Sequence, residues 1–149
     1  PAWQEDVLGE GTPIVSLEGI QYFYNLQNLY CADIGLTSLD VSALSKLTQL
    51  TCMDNALGTL DLSKNTALTQ INCAADQLTE LKLPAGVQRL LCENNALTAL
   101  DLSGCTALTY LKCANNQLAT LNLGANTALS TLIVSCRCWI CAPIRRWPL

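Results

Sequence analysis

Aliphatic residues recur along this chain in columns. One column runs Leu29, Leu50, Ile71, Leu90, Leu111 and Leu132. A second is Leu36, Leu57, Leu78, Leu97 and Leu118, a third Leu39, Leu60, Leu81, Leu100 and Leu121, and a fourth Val41, Leu62, Leu83, Leu102 and Leu123. Cys31, Cys52, Cys73, Cys92 and Cys113 mark the same period, at steps of 21, 21, 19 and 21 residues. From Leu50 to Cys52 apolar residues flank an outward one, which is strand spacing, and Leu60 to Leu62 predicts a second short strand. No segment joins the length of a helix to a 3.6-residue period. A fixed repeat of this size marks a solenoid, in which each unit packs only on its neighbours. The expected structure is a parallel coil of short strands and tight turns with little α-helix. Strands roughly 4.8 Å apart make its core about 25–30 Å long.

Polar residues keep the period too. Asn55, Asp76, Asn95 and Asn116 follow the strand at a fixed distance, with Ile34 breaking the column in the first unit. An inward amide at a turn bonds backbone groups that would otherwise be buried unpaired. The five periodic cysteines replace an inward aliphatic residue, as Val134 does one unit later, and read as small buried hydrophobes. These nine positions form the expected structural set. The 19-residue step has its origin in LKLPAGVQRL, where Pro84 and Gly86 tighten a turn that is longer elsewhere. A dent on the side away from the main strands is expected there, with strand register kept.

Half of the 149 residues are apolar but only 5% are aromatic, so leucine carries the packing of one domain. The net charge is −4 with no long run of one sign, which argues against a nucleic-acid partner. No apolar stretch has the length of a membrane span, so no membrane insertion is expected. The chain contains no histidine to act as a base beside cysteine or serine, and Asp40, Asp61 and Asp101 recur as scaffold positions do. No phosphate-binding glycine loop opens a helix. An enzyme is therefore not expected, nor a cofactor or a metal: a single-file cysteine column lacks tetrahedral geometry, and Asp33 with Asp54 offers too few ligands for calcium.

The unit LxxLxCxxNxLxxLDLS resembles bacterial leucine-rich repeats of the 21-residue kind, found in cell-surface proteins. The opening SLEGIQYFYNLQNLYC, Ser16 to Cys31, is similar to the first repeat of internalin-like proteins. The resemblance covers Ser16 to Val134. It implies a leucine-rich-repeat solenoid in a curved right-handed array, an extracellular or cell-surface location, and a recognition role towards a protein or glycan. Residues 1–25 then form an N-terminal cap and the start of the first coil, with Trp3 and Tyr22 to Tyr24 in the cap. Residues 26–134 are the repeats.

Residues 135–149 leave the pattern. Cys136, Cys138 and Cys141 lack a fourth metal ligand nearby. The genetic code supplies another reading. Tryptophan is TGG and isoleucine begins AT, so Trp139-Ile140 shifted by one frame reads GAT, aspartate. The preceding shifted codon is leucine whichever cysteine codon is used. The tail thus reads as the next repeat out of frame. Its Trp139, Ile140 and Trp147 would cover the open end of the array or promote association through it.

Outward residues beside the first strand of each unit define the candidate ligand face: Tyr30, Gln49, Thr51, Met53, Gln70, Asn72, Arg89, Leu91, Glu93, Tyr110 and Lys112. The same strand reading carries on through Asp33, Asp54, Ala75, Asn94 and Asn115. Tyr30, Met53, Leu91 and Tyr110 are expected as exposed apolar anchors, with Arg89, Glu93 and Lys112 adding orientation. The expected function is a protein-interaction or adhesion module with a concave β surface. The alternative is a structural spacer, a piece of a longer surface array with no ligand of its own, which the small Ala74, Ala75 and Ala114 favour.

Overall fold

A computed structural model of the chain describes residues 14–134. The expected cap segment Pro1 to Pro13, with Trp3, and the tail, including Cys136, Cys138, Cys141, Trp139, Ile140 and Trp147, lie outside the described residues. The described residues hold eight three-residue strands: β1 (Asn28–Tyr30), β2 (Gln49–Thr51), β3 (Thr59–Asp61), β4 (Gln70–Asn72), β5 (Glu80–Lys82), β6 (Arg89–Leu91), β7 (Tyr110–Lys112) and β8 (Thr131–Ile133). The only helical element among the described residues is a 3-10 turn at Ile20–Tyr22. The protein is a parallel β-solenoid of about five turns.

Six strands form one sheet in the order β1-β2-β4-β6-β7-β8, and β3 pairs with β5 in a second, two-stranded sheet. Among the described residues the expected second strand forms in two coils. Every pairing is parallel. The central residue of each main strand from β1 to β7 is buried. Inter-coil backbone bonds continue past the strands: Cys52 N–H donates to Asn72 O at 2.9 Å and Asp54 N–H to Ala74 O at 2.9 Å, and the other coils repeat this.

The aliphatic columns converge on one core. Leu36, Leu62, Leu78, Leu90 and Leu97 are fully enclosed. A fifth column, Leu47, Leu68, Val87 and Leu108, lies beside the four read from the pattern. Leu132 departs from its column and is exposed, because β8 pairs only with β7 among the described residues. At the other end Ile14, Leu17, Ile20 and Leu26 pack against the core, while Tyr22, Phe23 and Tyr24 are exposed.

The short coil behaves as its sequence predicts. β4 and β6 stay in register, Ile71 opposite Leu90, although the step is 19 residues. In the longer coils the back turn makes two successive tight bends, as in Asn65 N–H to Leu62 O and Leu68 N–H to Asn65 O, both 3.0 Å. Pro84 and Val87 are buried in the shortened turn, and Gly86 comes so close to the preceding coil that an added Cβ would lie 3.3 Å from Thr66 O.

The asparagine column works through both ends of its amide. Asn95 Oδ1 accepts from Asp76 N–H at 3.0 Å and Leu78 N–H at 2.9 Å. Its Nδ2 donates to Cys73 O at 2.8 Å and Cys92 O at 3.1 Å. Asn55 bonds Leu36 N–H, Cys31 O and Cys52 O in the same way. Asn116 Nδ2 reaches Cys92 O and Cys113 O. A second amide column was not read from the sequence. Buried Asn65 donates to Val41 O and Leu44 O, and buried Asn126 to Leu102 O and Cys105 O. Leu44 and Cys105 hold the same position in other coils and hide the periodicity.

One expectation is corrected. Asp33, Asp54, Ala75, Asn94 and Asn115 are not strand residues; they take left-handed φ angles of 53, 61, 56, 58 and 54°. Aspartate and asparagine tolerate that region, whereas for alanine it costs about 1–2 kcal/mol. Ala75→Asn should therefore stabilise the array by about 1 kcal/mol in chemical denaturation. It would also extend the side-chain pair in which Asn115 Nδ2 donates to Asn94 Oδ1 at 2.7 Å. Asn95→Ala, which removes two accepted N–H bonds and three donated C=O bonds, should cost about 2–3 kcal/mol. The exposed neighbour Thr98→Ala should change stability by less than about 0.5 kcal/mol.

Candidate functional site

The outer face of the six-stranded sheet gathers the candidate residues into two rows. Parallel register sets Gln49 beside Gln70, Gln70 beside Arg89 and Arg89 beside Tyr110. The second row runs Tyr30, Thr51, Asn72, Leu91 and Lys112. Strand alternation turns both rows away from the core. Met53 and Glu93 lie beyond the strand ends, each one residue after a cysteine.

Contacts between coils order this face. The Arg89 guanidinium lies 3.8 Å from the centroid of the Tyr110 ring, a cation–π contact worth about 0.5–1 kcal/mol at an exposed site. Tyr30 donates its hydroxyl to Gln49 Oε1 at 3.2 Å. Asn72 Oδ1 accepts from Ala74 N–H at 3.3 Å, and Asn72 Nδ2 lies 3.2 Å from Met53 Sδ. A shallow depression of about 220 Å³ is lined by Tyr30, Gln49, Thr51, Gln70, Asn72, Arg89 and Leu91.

Exposure differs from the sequence expectation. Tyr30 is 69% exposed, but Met53, Leu91 and Tyr110 are half-buried, because side chains of adjacent coils cover them. Glu93 is buried. It follows a cysteine, as the small buried residues Ala74 and Ala114 do in the flanking coils. Lys112 reaches in with Nζ 2.7 Å from Glu93 Oε1, and this contact raises the lysine pKa. Glu93 and Lys112 are thus engaged with each other. Arg89 forms no salt bridge among the described residues; the pairs present are Lys112–Glu93, Lys82–Asp61 and Lys82–Glu80.

The cysteines lie behind this face. Cys31, Cys52, Cys73, Cys92 and Cys113 are buried, and the first four are free thiols. Cys31 Sγ–H donates to Thr51 O at 3.6 Å and Cys73 Sγ–H to Leu91 O at 3.6 Å. Burial pushes the Cys31 thiol up to about 11 and raises Cys52, Cys73 and Cys92 well above the ordinary thiol value. Cys105, outside the column, is another buried free thiol and donates to Pro84 O at 3.6 Å. Asp40, Asp61 and Asp101 hold turns by accepting from the N–H of Ser42, Ser63 and Ser103 at 2.9, 3.0 and 2.9 Å. The Ser63 and Ser103 hydroxyls and then these backbone bonds lower the pKa values of Asp61 and Asp101, and at Asp40 the backbone bond leads and the Ser42 hydroxyl follows.

Several solved structures share this architecture. The functional domain of InlJ from Listeria monocytogenes, described as including a cysteine ladder, is 34% identical with a TM-score of 0.76. The match covers 77% of this chain and 26% of that one. Internalin C2 from the same species is 28% identical with a TM-score of 0.70, covering 83% of this chain and 57% of that one. A leucine-rich-repeat protein of Leptospira interrogans, at 23% identity and a TM-score of 0.65, shows the fold alone, over 84% of this chain and 36% of that one. The chain therefore spans about a quarter of the InlJ chain and little more than half of internalin C2. No protein-family model and no curated protein matches it. Fold and repeat are those of the internalin-like leucine-rich-repeat proteins.

Depth and raised pKa predict inert thiols in the folded array, because the thiolate is the reactive species. In the native protein at about pH 8, Cys31, Cys52, Cys73 and Cys92 should resist alkylation, and all four should react on unfolding. Peptide mapping of the labelled protein checks this; rapid native labelling of Cys52 or Cys73 would contradict the packing described.

Proposed function

We propose that this internalin-like leucine-rich-repeat array is a protein-interaction module whose partner docks on the outer face of the six-stranded sheet. Folds of this kind generally mediate protein interaction. The Arg89–Tyr110 pair carries the assignment of the face. It sets an ordered guanidinium, without a carboxylate partner among the described residues, beside the amides of Gln49, Gln70 and Asn72. Those groups supply donors in register along adjacent strands. They fit a partner surface bearing an acidic side chain among acceptors, since arginine binds carboxylates through two parallel hydrogen bonds. Tyr30, Leu91 and Tyr110 add the aromatic and aliphatic contact area on which such interfaces depend. Similarity to the internalin proteins supports a secreted or surface-exposed bacterial protein.

A spacer role is the second reading. Ala74 and Ala114 beside the face, and the commitment of Lys112 to Glu93, favour it by limiting the contacts on offer.

Screening the whole chain against a library of extracellular proteins, beside an Arg89→Ala/Tyr110→Ala variant, separates the two. A true partner should lose at least about tenfold in affinity for the variant, typical of truncating interface anchors. The variant should lose no more than about 1 kcal/mol of stability, the worth of the cation–π contact, because both residues lie outside the core. A binder indifferent to the double substitution would place the site elsewhere. A library without any binder would favour the spacer.

A further inference from the structure

Asp76 is the one member of the inward amide column that is not an amide. At Asn55, Asn95 and Asn116 the side-chain oxygen accepts backbone N–H bonds and the side-chain nitrogen donates to cysteine carbonyls of two successive coils. Asp76 keeps the accepting half, since its Oδ1 accepts from Asn55 N–H at 2.9 Å. Its Oδ2 corresponds to the donor nitrogen of the other coils and carries no proton when the acid is ionised. The Cys52 thiol donates to it, at 3.4 Å.

The surroundings oppose a charge there. Asp76 is fully buried. The titratable groups facing it are the thiols of Cys31, Cys52 and Cys73 and the carboxylate of Asp54, and none is a cation. The Cys52 thiol has a second acceptor, Asn72 O at 3.7 Å, equivalent to the carbonyls that Cys31 and Cys73 use.

We propose that Asp76 is an acid-favoured rung: protonated, it donates its O–H to a ladder carbonyl as the asparagines do, and ionised, it leaves the contact between the second and third coils weaker. The protons balance. In acid the carboxyl keeps its proton and Cys52 S–H points to Asn72 O. At higher pH the carboxyl proton passes to solvent and Cys52 S–H turns to Oδ2. The ionised rung is survivable because the neighbouring amides already serve the same carbonyls: Asn55 donates to Cys52 O and Asn95 to Cys73 O.

Burial of Asp76 raises its pKa from 3.8 to about 6. A folded-state value above the unfolded one means that this group's stabilisation is complete below pH 3.8 and is lost as pH rises through about 6. The loss is roughly 100-fold in the folding equilibrium constant, or ~3 kcal/mol.

Denaturant unfolding of the whole chain and of Asp76→Asn, from about pH 4 to pH 8, tests the idea. All other carboxylates are common to both proteins and cancel in the difference. The asparagine variant should match the parent in acid and exceed it increasingly through pH 6, approaching the roughly 100-fold gap above pH 7. In the native parent, the infrared S–H stretching band, assigned to Cys52 by its loss in Cys52→Ala, should shift with the same midpoint. A stability gap that does not vary with pH, or an S–H band that stays fixed across the range, would overturn the proposal.

Discussion

Each coil of this protein is completed by the one that follows it. A single turn of roughly 20 residues cannot enclose a core, so its leucines and its turn backbone must both be covered by neighbours. Leucine covers the apolar part without direction. The backbone part is directional. The amide of Asn95 reaches back to Asp76, Leu78 and Cys73 while also holding Cys92 of its own coil. The array therefore has a polarity, and every inward amide serves the coil before it. At the end of the described residues this support thins: Leu118, Leu121, Leu123 and Leu129 are half-buried and Leu132 is exposed.

The same stacking makes the outer face. Once coils are locked in register, side chains roughly 4.8 Å apart on adjacent strands must interact. Arg89 lies against Tyr110, and Tyr30 bonds Gln49. The outward residues are thus ordered by the scaffold's pitch, and lateral packing half-buries Leu91 and Tyr110. Ordering before binding lowers the entropic cost of association.

The architecture was readable because period and alternation are local signals. The leucine columns, the inward cysteines, the asparagine column with its Ile34 break, and the preserved register at the short coil follow from spacing alone. The buried Glu93 was not readable. The equivalent positions in the flanking coils hold the small Ala74 and Ala114, and the Lys112 partner lies in the next coil. The left-handed residue two places after each cysteine carried a visible signal, since Asp33, Asp54, Asn94 and Asn115 are the types that tolerate it. Ala75 masked that signal. In the second amide column Leu44 and Cys105 did the same for Asn65 and Asn126.

The shortened coil at Pro84 to Val87 has an evolutionary consequence. Two residues are missing, yet Ile71 still faces Leu90 and the outer rows run on unbroken. Length is tolerated in the turn between Lys82 and Arg89 because no strand pairs within it. Insertions and deletions can accumulate on one side of a lineage's repeats without disturbing the surface laid out on the other, and whole coils become exchangeable parts.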